Sequence, residues 1–200
     1  MGHFNYQSLQ SGRLMPSVMT PSNSLPYNQT PSFSSSLKPK LVTCPPKYLS
    51  TRISNNVFMK NEPVDTERAM KQYARVIRLM KAMDVTIWEI PPVKGCQDQA
   101  YVANLFVAIK PFIVLAKMSA KGRSCEEAPG RRFFEKRGYT VIQPPFAFEG
   151  YADCIPWKKN IYLGGWGKFS DMEAFKWIER KTGCEVIPMH SISDAAFHLD

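Results

Sequence analysis

The first 61 residues contain no aspartate or glutamate, and this absence accounts for most of the chain's net charge. The charged residues of this region are all basic: Arg13, Lys38, Lys40, Lys47, Arg52 and Lys60. The whole chain has 26 Lys and Arg against 17 Asp and Glu, a formal net charge of +9. Subtracting the six leaves residues 62–200 with 20 basic and 17 acidic side chains, a net charge of only +3. A nucleic-acid-binding domain would need its cations on one folded face, so no nucleic-acid partner is predicted.

The sequence also lacks a long apolar run and paired cysteines. Its longest apolar stretch, residues 105–116, is interrupted by Lys110 and Pro111, whereas a membrane-spanning helix needs roughly 18 consecutive apolar residues. We therefore predict a soluble protein with no membrane partner. No CxxC spacing occurs among the five cysteines, which are Cys44, Cys96, Cys125, Cys154 and Cys184. This pattern predicts no disulfide framework, no metal site and no cofactor, and it favours a reducing, cytoplasmic location.

The N-terminal region has too few apolar residues to form a core. In residues 16–36, fifteen of 21 residues are Pro, Ser, Thr or Asn. Such a composition cannot offset the entropy of ordering the chain. We predict a disordered leader over residues 1–38 and a folded domain over residues 39–200. Organelle import through the leader stays open, although Arg13 is the only arginine in the first fifty residues.

The folded region contains three similar segments, in which a helix end, a turn, a short β-branched strand and a proline follow one another. They are residues 83–91, 137–144 and 181–188. Gly138 and Gly183 occupy the positions where a left-handed helix C-cap is expected. The first segment follows a predicted amphipathic helix that Asp65 caps. Its apolar positions are Ala69, Met70, Tyr73, Val76, Ile77, Met80 and Met83. The pattern predicts an α/β fold built from repeats of roughly fifty residues.

Shorter apolar runs predict the remaining strands. Residues 41–44 are typical of a short buried strand that the following two prolines end. Further strands are predicted over residues 100–109, 112–116 and 161–163. The chain then ends a dozen residues after the third helix-to-strand turn, so the repeat is expected to be incomplete.

Two clusters of polar residues could carry chemistry. Glu149 and Asp153 flank a glycine after a predicted strand, and His198 is followed two residues later by Asp200. Histidine transfers protons near neutral pH, and a carboxylate can orient it and stabilise its cation. On this pattern alone, an acid/base site and a solvated turn with a frayed terminus both stay open.

Four motifs in order resemble those of the amidinotransferase, dimethylarginine dimethylaminohydrolase and arginine deiminase group. Residues 44–46 match the opening strand, and residues 97–104 resemble the family's "PDMVFTAN" strand. Residues 149–153 resemble "EGAGD", and residues 197–200 resemble "YHLD". The resemblance covers about residues 41–200. It implies a pentein-type α/β propeller, of which this chain would hold about three of five repeat units.

The resemblance also implies residue roles. His198 would be the general acid/base that protonates the leaving amine, and Glu149 the carboxylate that orients it. Asp200 would bind the substrate's guanidinium, while Asp98 and Asp153 line or support the pocket. Asn104 falls where several relatives have a guanidinium-binding aspartate.

Two departures from the family pattern concern the nucleophile and the substrate's carboxylate. The family's nucleophilic cysteine lies far beyond the "HLD" motif, and none of this chain's cysteines matches it. Phe169 stands where relatives have an arginine that binds the substrate's carboxylate, with Lys168 beside it.

The resemblance therefore predicts a guanidine-modifying enzyme that acts through a covalent Cys-amidino intermediate on a small guanidine related to arginine or agmatine. This chain would be inactive alone. The alternative is a non-catalytic pentein that serves as a structural or binding component. The sequence leaves open the exact guanidine, hydrolysis against amidino transfer, and a homo-oligomer.

Overall fold

A computed structural model describes residues 38–53, 63–192 and 198–200. The predicted leader, apart from Lys38, lies outside these residues. Three helices and eight strands are present in the described ranges. They are β1 (Lys40–Thr43), α1 (Thr66–Ala82), β2 (Thr86–Glu89), β3 (Phe106–Ile109), β4 (Phe112–Leu115), α2 (Glu127–Glu135), β5 (Thr140–Ile142), β6 (Cys154–Lys158), β7 (Ile161–Trp166), α3 (Met172–Thr182) and β8 (Glu185–His190).

The strands form three separate open sheets that repeat one topology. In the second sheet, β3 pairs antiparallel with β4, the chain crosses over through α2, and β5 returns parallel to β4. The third sheet repeats this order with β6, β7, α3 and β8. The first sheet has only the parallel pair β1 and β2, joined through α1. The predicted α/β repeat is confirmed, with a mixed α/β fold as the result.

The three helix-to-strand turns share a left-handed residue. Gly138 has φ 79° and Gly183 has φ 72°, as predicted, and both are glycines because L side chains strain this conformation. The first turn has Asp84 at φ 61° instead. Aspartate tolerates this region better than most residues. The same left-handed turn is therefore formed by glycine in two repeats and by aspartate in the first.

Helix α1 starts where the sequence predicts, but its apolar face is only partly covered. The Asp65 carboxylate accepts a hydrogen bond from the Arg68 amide at 2.9 Å, which caps the first turn. Ile77 is the one buried residue of the helix. Val76 is 47% exposed and Met83 70% exposed, although both belong to the predicted apolar stripe.

The predicted strand over residues 41–44 is correct in position and only partly correct in burial. Leu41 is 37% exposed, whereas Cys44 at the strand's end is 1% exposed. The prediction of one strand over residues 100–109 is wrong in its first half. Residues Val102–Asn104 form a 3-10 turn, and the strand begins at Phe106.

Two apolar clusters hold the sheets together. One packs α3 against the third sheet, with Phe148, Phe175 and Ile178 almost fully buried. The other packs α2 against the second sheet and reaches the end of β1, with Leu105 and Phe134 at its centre. Burial of large apolar side chains is the dominant favourable contribution to folding. The polar turns between the sheets are therefore fixed to rigid elements.

Cys96 and Cys125 form a disulfide, so the prediction that no cysteines pair is wrong for these two. Their Cα atoms are 5.8 Å apart although 29 residues separate them in sequence, a proximity that spacing alone does not reveal. Cys44, Cys154 and Cys184 are free and buried. Within the described ranges, no helix combines the length and apolarity needed to cross a bilayer.

Candidate functional site

The turn before β6 holds two of the predicted site residues. Gly150 has φ 56°, and a Cβ there would lie 2.6 Å from the Phe106 amide nitrogen and 2.7 Å from the Ala103 carbonyl oxygen. Only glycine permits both the left-handed backbone and this close approach. The turn Gly150–Asp153 therefore packs directly against the turn that precedes β3. Glu149 and Asp153, at either end of it, are both buried.

The turn before β3 presents Asn104 to this pair. The Asn104 side-chain nitrogen donates a 3.0 Å hydrogen bond to Glu149 Oε2. The same nitrogen lies 2.9 Å from Nε2 of His198. Asn104 is itself only 7% exposed. Equivalent turns of two repeats thus meet, and their polar side chains hydrogen-bond to one another.

His198 is placed by its neighbour in sequence and held by Asp153. The Leu199 amide donates to the Ala152 carbonyl oxygen at 3.0 Å, which fixes the backbone beside the site. Nδ1 of His198 lies 2.9 Å from Asp153 Oδ1. Because Nε2 faces the amide donor of Asn104, the proton of the neutral ring belongs on Nδ1, where it is donated to Asp153.

One further residue, Ser170, supports both Asp153 and Glu149. The Ser170 hydroxyl donates to Asp153 Oδ2 at 2.6 Å and accepts from the Glu149 amide at 3.0 Å.

The carboxylate that contacts the ring of His198 is not the one that the resemblance implies. Nε2 of His198 is 3.7 Å from Glu149 Oε2, so the carboxylate in hydrogen-bond contact with the ring is Asp153, not Glu149.

A buried arginine lies behind Glu149. Arg123 forms two hydrogen bonds to Glu126, at 2.8 and 3.0 Å, and one of its nitrogens is 3.6 Å from Glu149 Oε2. It also donates to the backbone carbonyls of Asp98 and Tyr101. Neither Arg123 nor Glu126 is among the site residues that the sequence predicts. Their spacing, i and i+3, is also common in solvated pairs, and nothing in the sequence shows their burial.

Burial and charge together shift the proton affinities of the site. Burial raises the pKa of Glu149, although Arg123, His198 and Asn104 act in the opposite direction. Burial alone would lower the pKa of His198, but the hydrogen bond to Asp153 and the charges of Asp153, Glu149 and Asp200 raise it overall. These carboxylates therefore stabilise the protonated imidazole more than water does around a free histidine.

The other predicted residues lie at the margins of this cluster. Asp98 is buried, and the Gln97 side-chain nitrogen donates to its Oδ2 at 3.3 Å. Asp200 is exposed and acts on His198 through its charge. Phe169 stacks on His198 with ring centroids 5.1 Å apart. Phe197, the first residue of the segment that resembles "YHLD", lies outside the described residues.

None of the free thiols has the environment of a nucleophile. Burial raises the pKa of Cys44 to about 12. The pKa of Cys154 is raised by burial, by Cys184 and by Asp153, and that of Cys184 is raised chiefly by burial. A reactive cysteine needs a stabilised thiolate. Among the residues that the structure describes, no group of three or more His, Cys, Asp or Glu side chains is arranged to hold a metal ion.

The chain is similar to known proteins in both sequence and structure. No protein-family model matches the chain. The bifunctional arginine dihydrolase/ornithine cyclodeaminase ArgZ of Synechocystis sp. is 26% identical over 166 residues, which are 80% of this chain and 23% of ArgZ. AgrE of Nostoc sp., with the same description, is 25% identical over 166 residues, 80% of this chain and 24% of AgrE. The chain thus spans about a quarter of the length of these relatives.

The structural comparisons agree with the sequence comparisons. The crystal structure of the product-bound N-terminal domain of ArgZ aligns with a TM-score of 0.77 at 25% identity, covering 82% of this chain and 61% of that domain. An adduct of dimethylarginine dimethylaminohydrolase aligns with a TM-score of 0.68 at 15% identity, covering 80% of this chain and 64% of the other. The chain is therefore homologous to the N-terminal domain of ArgZ and AgrE, and its fold is similar to that of dimethylarginine dimethylaminohydrolase, the fold of the pentein superfamily.

Proposed function

We propose that this chain forms the guanidinium-binding and acid/base part of a guanidine-modifying enzyme, built as three of the five units of a pentein propeller. The observation that supports this proposal is the cluster of Asn104, Glu149, Asp153 and His198. These residues follow the last strands of three successive repeats and converge within hydrogen-bond distance. A scaffold needs no such buried polar cluster, because buried carboxylates are costly to desolvate.

The cluster is suited to a planar cation. Glu149 Oε1 is buried and makes no hydrogen bond to any residue that the structure describes. An unsatisfied buried carboxylate oxygen favours a bound donor, and a guanidinium presents several N–H donors in one plane. Asp153 adds negative charge at Nδ1 of His198, and the charge of Asp200 also acts on the ring. The cation would donate to Oε1, while the Asn104 amide keeps its hydrogen bond to Oε2.

His198 supplies the proton in the proposed reaction. A cysteine thiolate adds to the central carbon of the guanidinium and forms a C–S bond. The carbon–nitrogen bond then breaks, the nitrogen keeps the electron pair, and the imidazolium of His198 gives it a proton. Asp153 stabilises that imidazolium through the 2.9 Å contact, so the ring enters the step charged. Water or an amine next displaces the thiolate from the amidino carbon.

The attacking thiolate is proposed to come from polypeptide outside these 200 residues. The free thiols of the chain are buried with raised pKa values, and the other two cysteines are bonded to each other. A disulfide sulfur is no thiolate, and an apolar burial site opposes ionisation. The 200-residue chain is therefore proposed to bind a guanidine but not to catalyse its conversion.

A guanidine without a carboxylate is the favoured ligand. Arg123 is engaged by Glu126 and lies close to Glu149, so its charge is neutralised within the protein. Phe169 places an apolar ring against His198 where relatives are expected to have an arginine. A substrate carboxylate would find no dedicated arginine fork here. Agmatine fits this arrangement better than arginine.

The second candidate is a pentein that has lost catalysis and serves as a binding or structural component. The observation that favours it is the small free space beside His198, a cavity of about 10 Å³ lined by Asp153, Phe169 and Leu199 among others. A guanidinium needs more room than one water-sized site. On this alternative, no cation binds Glu149 and the cluster only stabilises the fold.

Agmatine binding distinguishes the two candidates. We expect the chain to bind agmatine in calorimetry and to shift the ¹H–¹⁵N ring resonances of His198. Glu149→Gln should weaken binding by about tenfold or more, because it removes one charge-assisted hydrogen bond. Glu173→Gln is the matched control, since Glu173 is exposed on α3 and forms an ion pair with the exposed Lys176. Absence of agmatine binding to the wild-type chain would contradict the enzyme proposal and favour the second candidate.

A further inference from the structure

The Cys96–Cys125 disulfide lies directly behind the candidate site. Cys96 precedes Asp98 by two residues in the chain. Cys125 follows Arg123 by two residues and directly precedes Glu126. The two cysteines are 29 residues apart, and the segment between them contains β3 and β4. The disulfide therefore joins the segment that carries Asp98 to the turn that carries Arg123.

The Arg123 guanidinium joins the same two segments without a covalent bond. Its Nη2 donates to the backbone carbonyls of Asp98 and Tyr101, at 3.3 and 3.2 Å. Arg123 is 5% exposed, and Glu126, which accepts two of its hydrogen bonds, is fully buried. The guanidinium also lies 3.6 Å from Glu149 Oε2. A displacement of this turn would therefore move the cation that faces Glu149.

The turn that carries Arg123 has little regular structure. Residues 118–123 belong to no strand or helix, and Ser124–Glu126 form a single 3-10 turn before α2. The backbone hydrogen bonds here are local, because the Arg123 amide donates to the Ala120 carbonyl and the Glu126 amide donates to the Arg123 carbonyl. Segments with few backbone hydrogen bonds open locally more readily than sheets do. The disulfide opposes this opening, because a cross-link restricts the freedom of the open chain.

The two bonded cysteines differ in their access to solvent. Cys96 is 2% exposed, whereas Cys125 is exposed. Thiol–disulfide exchange begins when a thiolate attacks an accessible sulfur of the disulfide. A reductant can therefore attack Cys125 and displace Cys96 while the apolar core stays folded. The free cysteines of the chain, Cys44, Cys154 and Cys184, are buried and are not open to the same attack.

We propose that Cys96–Cys125 is a thiol–disulfide exchange site at which a dithiol reductant releases the turn that carries Arg123. One thiolate of the reductant attacks Sγ of Cys125, the S–S bond breaks, and the sulfur of Cys96 takes the electron pair and then a proton. The second thiolate of the reductant attacks the reductant's own sulfur in this mixed disulfide. Cys125 leaves and takes a proton, and the reductant closes to a disulfide. Two electrons and two protons pass to the chain.

Release of this turn changes the charge that faces Glu149. In the oxidised chain, the charge of Arg123 opposes the effect of burial on the pKa of Glu149. In the reduced chain, the guanidinium is away from Glu149 Oε2 more often, so the carboxylate loses part of its counter-charge. These changes occur in the chain's own side chains, with or without a bound guanidine. The exchange site is therefore independent of the proposed function.

Hydrogen exchange on the full 200-residue chain tests the proposal. Peptide mapping of the air-oxidised chain should show the Cys96–Cys125 bond. Under native conditions, dithiothreitol should then expose thiols to alkylation at these two positions and leave the buried cysteines unmodified. The Nε–H of Arg123, which is hydrogen-bonded in the oxidised chain, should exchange with solvent at least about tenfold faster after reduction. The Val186 amide, in the third sheet, is the internal control and should exchange at the same rate in both forms.

Two cysteine variants separate the effect of the bridge from other effects of the reductant. Cys125→Ser cannot form the bridge, so the Nε–H of Arg123 should exchange rapidly with and without dithiothreitol. Cys184→Ala keeps the bridge and should respond to dithiothreitol as the wild type does. Reduction that occurs only when the chain is unfolded would overturn the proposal. Equal exchange of the Arg123 Nε–H in the oxidised and reduced wild type would also overturn it, even if Cys125→Ser fails to fold.

Discussion

At the scale of single residues, the protonation of His198 depends on Asp153. Burial opposes the imidazolium, and only the carboxylates around it raise the pKa of the ring above 6.5. Asp153 makes the direct contact, at 2.9 Å, while Asp200 is exposed and acts at a distance. The two aspartates can therefore be compared directly by mutation, because they carry the same charge but only Asp153 contacts the ring of His198.

Asp153→Asn should lower the pKa of His198 and change how stability depends on pH. In the wild type, the raised pKa means that the folded state holds an extra proton, so this stabilisation is complete below pH 6.5. It is lost as the pH rises through the folded pKa. We expect Asp153→Asn to cost about 1.5–3 kcal/mol at pH 5.5 and less at pH 9. Urea unfolding at both pH values measures this.

Asp200→Asn is the control for that experiment and should have a much smaller effect. Its carboxylate is exposed, and solvent screens its action on the ring. A pH dependence of unfolding that Asp153→Asn leaves unchanged would contradict the assignment of Asp153 as the partner of His198.

Phe169 determines the expected preference for the substrate's tail. A carboxylate in a pocket needs a fixed cation, and a phenylalanine offers none. Loss of such a charge-assisted pair costs roughly 2–5 kcal/mol, which corresponds to about a thirtyfold to several-thousandfold loss in affinity. We therefore expect agmatine to bind more tightly than arginine, and Phe169→Arg to improve arginine binding selectively. Calorimetric titrations of both ligands measure the ratio.

Two variants serve as controls for the effect at position 169. Phe169→Leu keeps the position neutral while removing the stacking on His198, so it should leave the preference for agmatine intact. Lys168→Met tests whether the adjacent lysine reaches the carboxylate instead. If the wild type prefers arginine and Phe169→Arg leaves the ratio unchanged, position 169 does not contact the substrate's tail.

At the scale of elements, the turns after the last strand of each repeat carry the candidate site. The turn of the second repeat is the tightest, because Gly150 lies against the backbone of the preceding turn. Gly138 and Gly183 also have positive φ values, but a Cβ at either would meet nothing within 4 Å. After α2 and α3, glycine is therefore favoured only because it adopts the left-handed backbone conformation. In the turn of the candidate site, glycine is also required because a Cβ would clash with neighbouring backbone atoms.

Gly150→Ala should destabilise the fold far more than Gly138→Ala. A side chain in the left-handed region costs about 1–2 kcal/mol, and this is the expected loss for Gly138→Ala. Gly150→Ala adds a clash with backbone atoms of Phe106 and Ala103, so we expect a loss of at least about 3 kcal/mol. Chemical denaturation of both variants gives the comparison. Similar losses at the two positions would show that the two turns are not packed as described.

At the scale of the whole molecule, the proposed site of binding and proton transfer has no activated thiol among the free cysteines, because burial raises the pKa of Cys44, Cys154 and Cys184. Groups that act as one catalytic unit lose nearly the whole rate when a member is missing. We expect no turnover of arginine, methylarginines or agmatine by the purified 200-residue chain, measured as ureido product or released amine. Product formation that Cys154→Ala abolishes would show that the nucleophile is Cys154, in contradiction to its buried environment.

The sequence by itself determined the local and periodic features of this protein. The Asp65 cap, the two glycine C-caps and the three helix–turn–strand segments follow from propensities and spacing within a few residues. The candidate site residues were identified by motif, because the motifs are contiguous in the chain. Asn104, Glu149, Asp153 and His198 do converge, while Asp98 and Asp200 lie at the margin.

Tertiary structure alone decided what depends on distant parts of the chain meeting in space. The pairing of Cys96 with Cys125, the burial of Arg123 and Glu126, and the contact of His198 with Asp153 rather than Glu149 leave no local signal. The sequence also does not show that part of the apolar stripe of α1 is exposed, because an amphipathic pattern predicts an apolar face but not what packs against it. Nor does it show that, among the described residues, β1 pairs only with β2. Local interactions set the elements, and long-range packing assigns their partners.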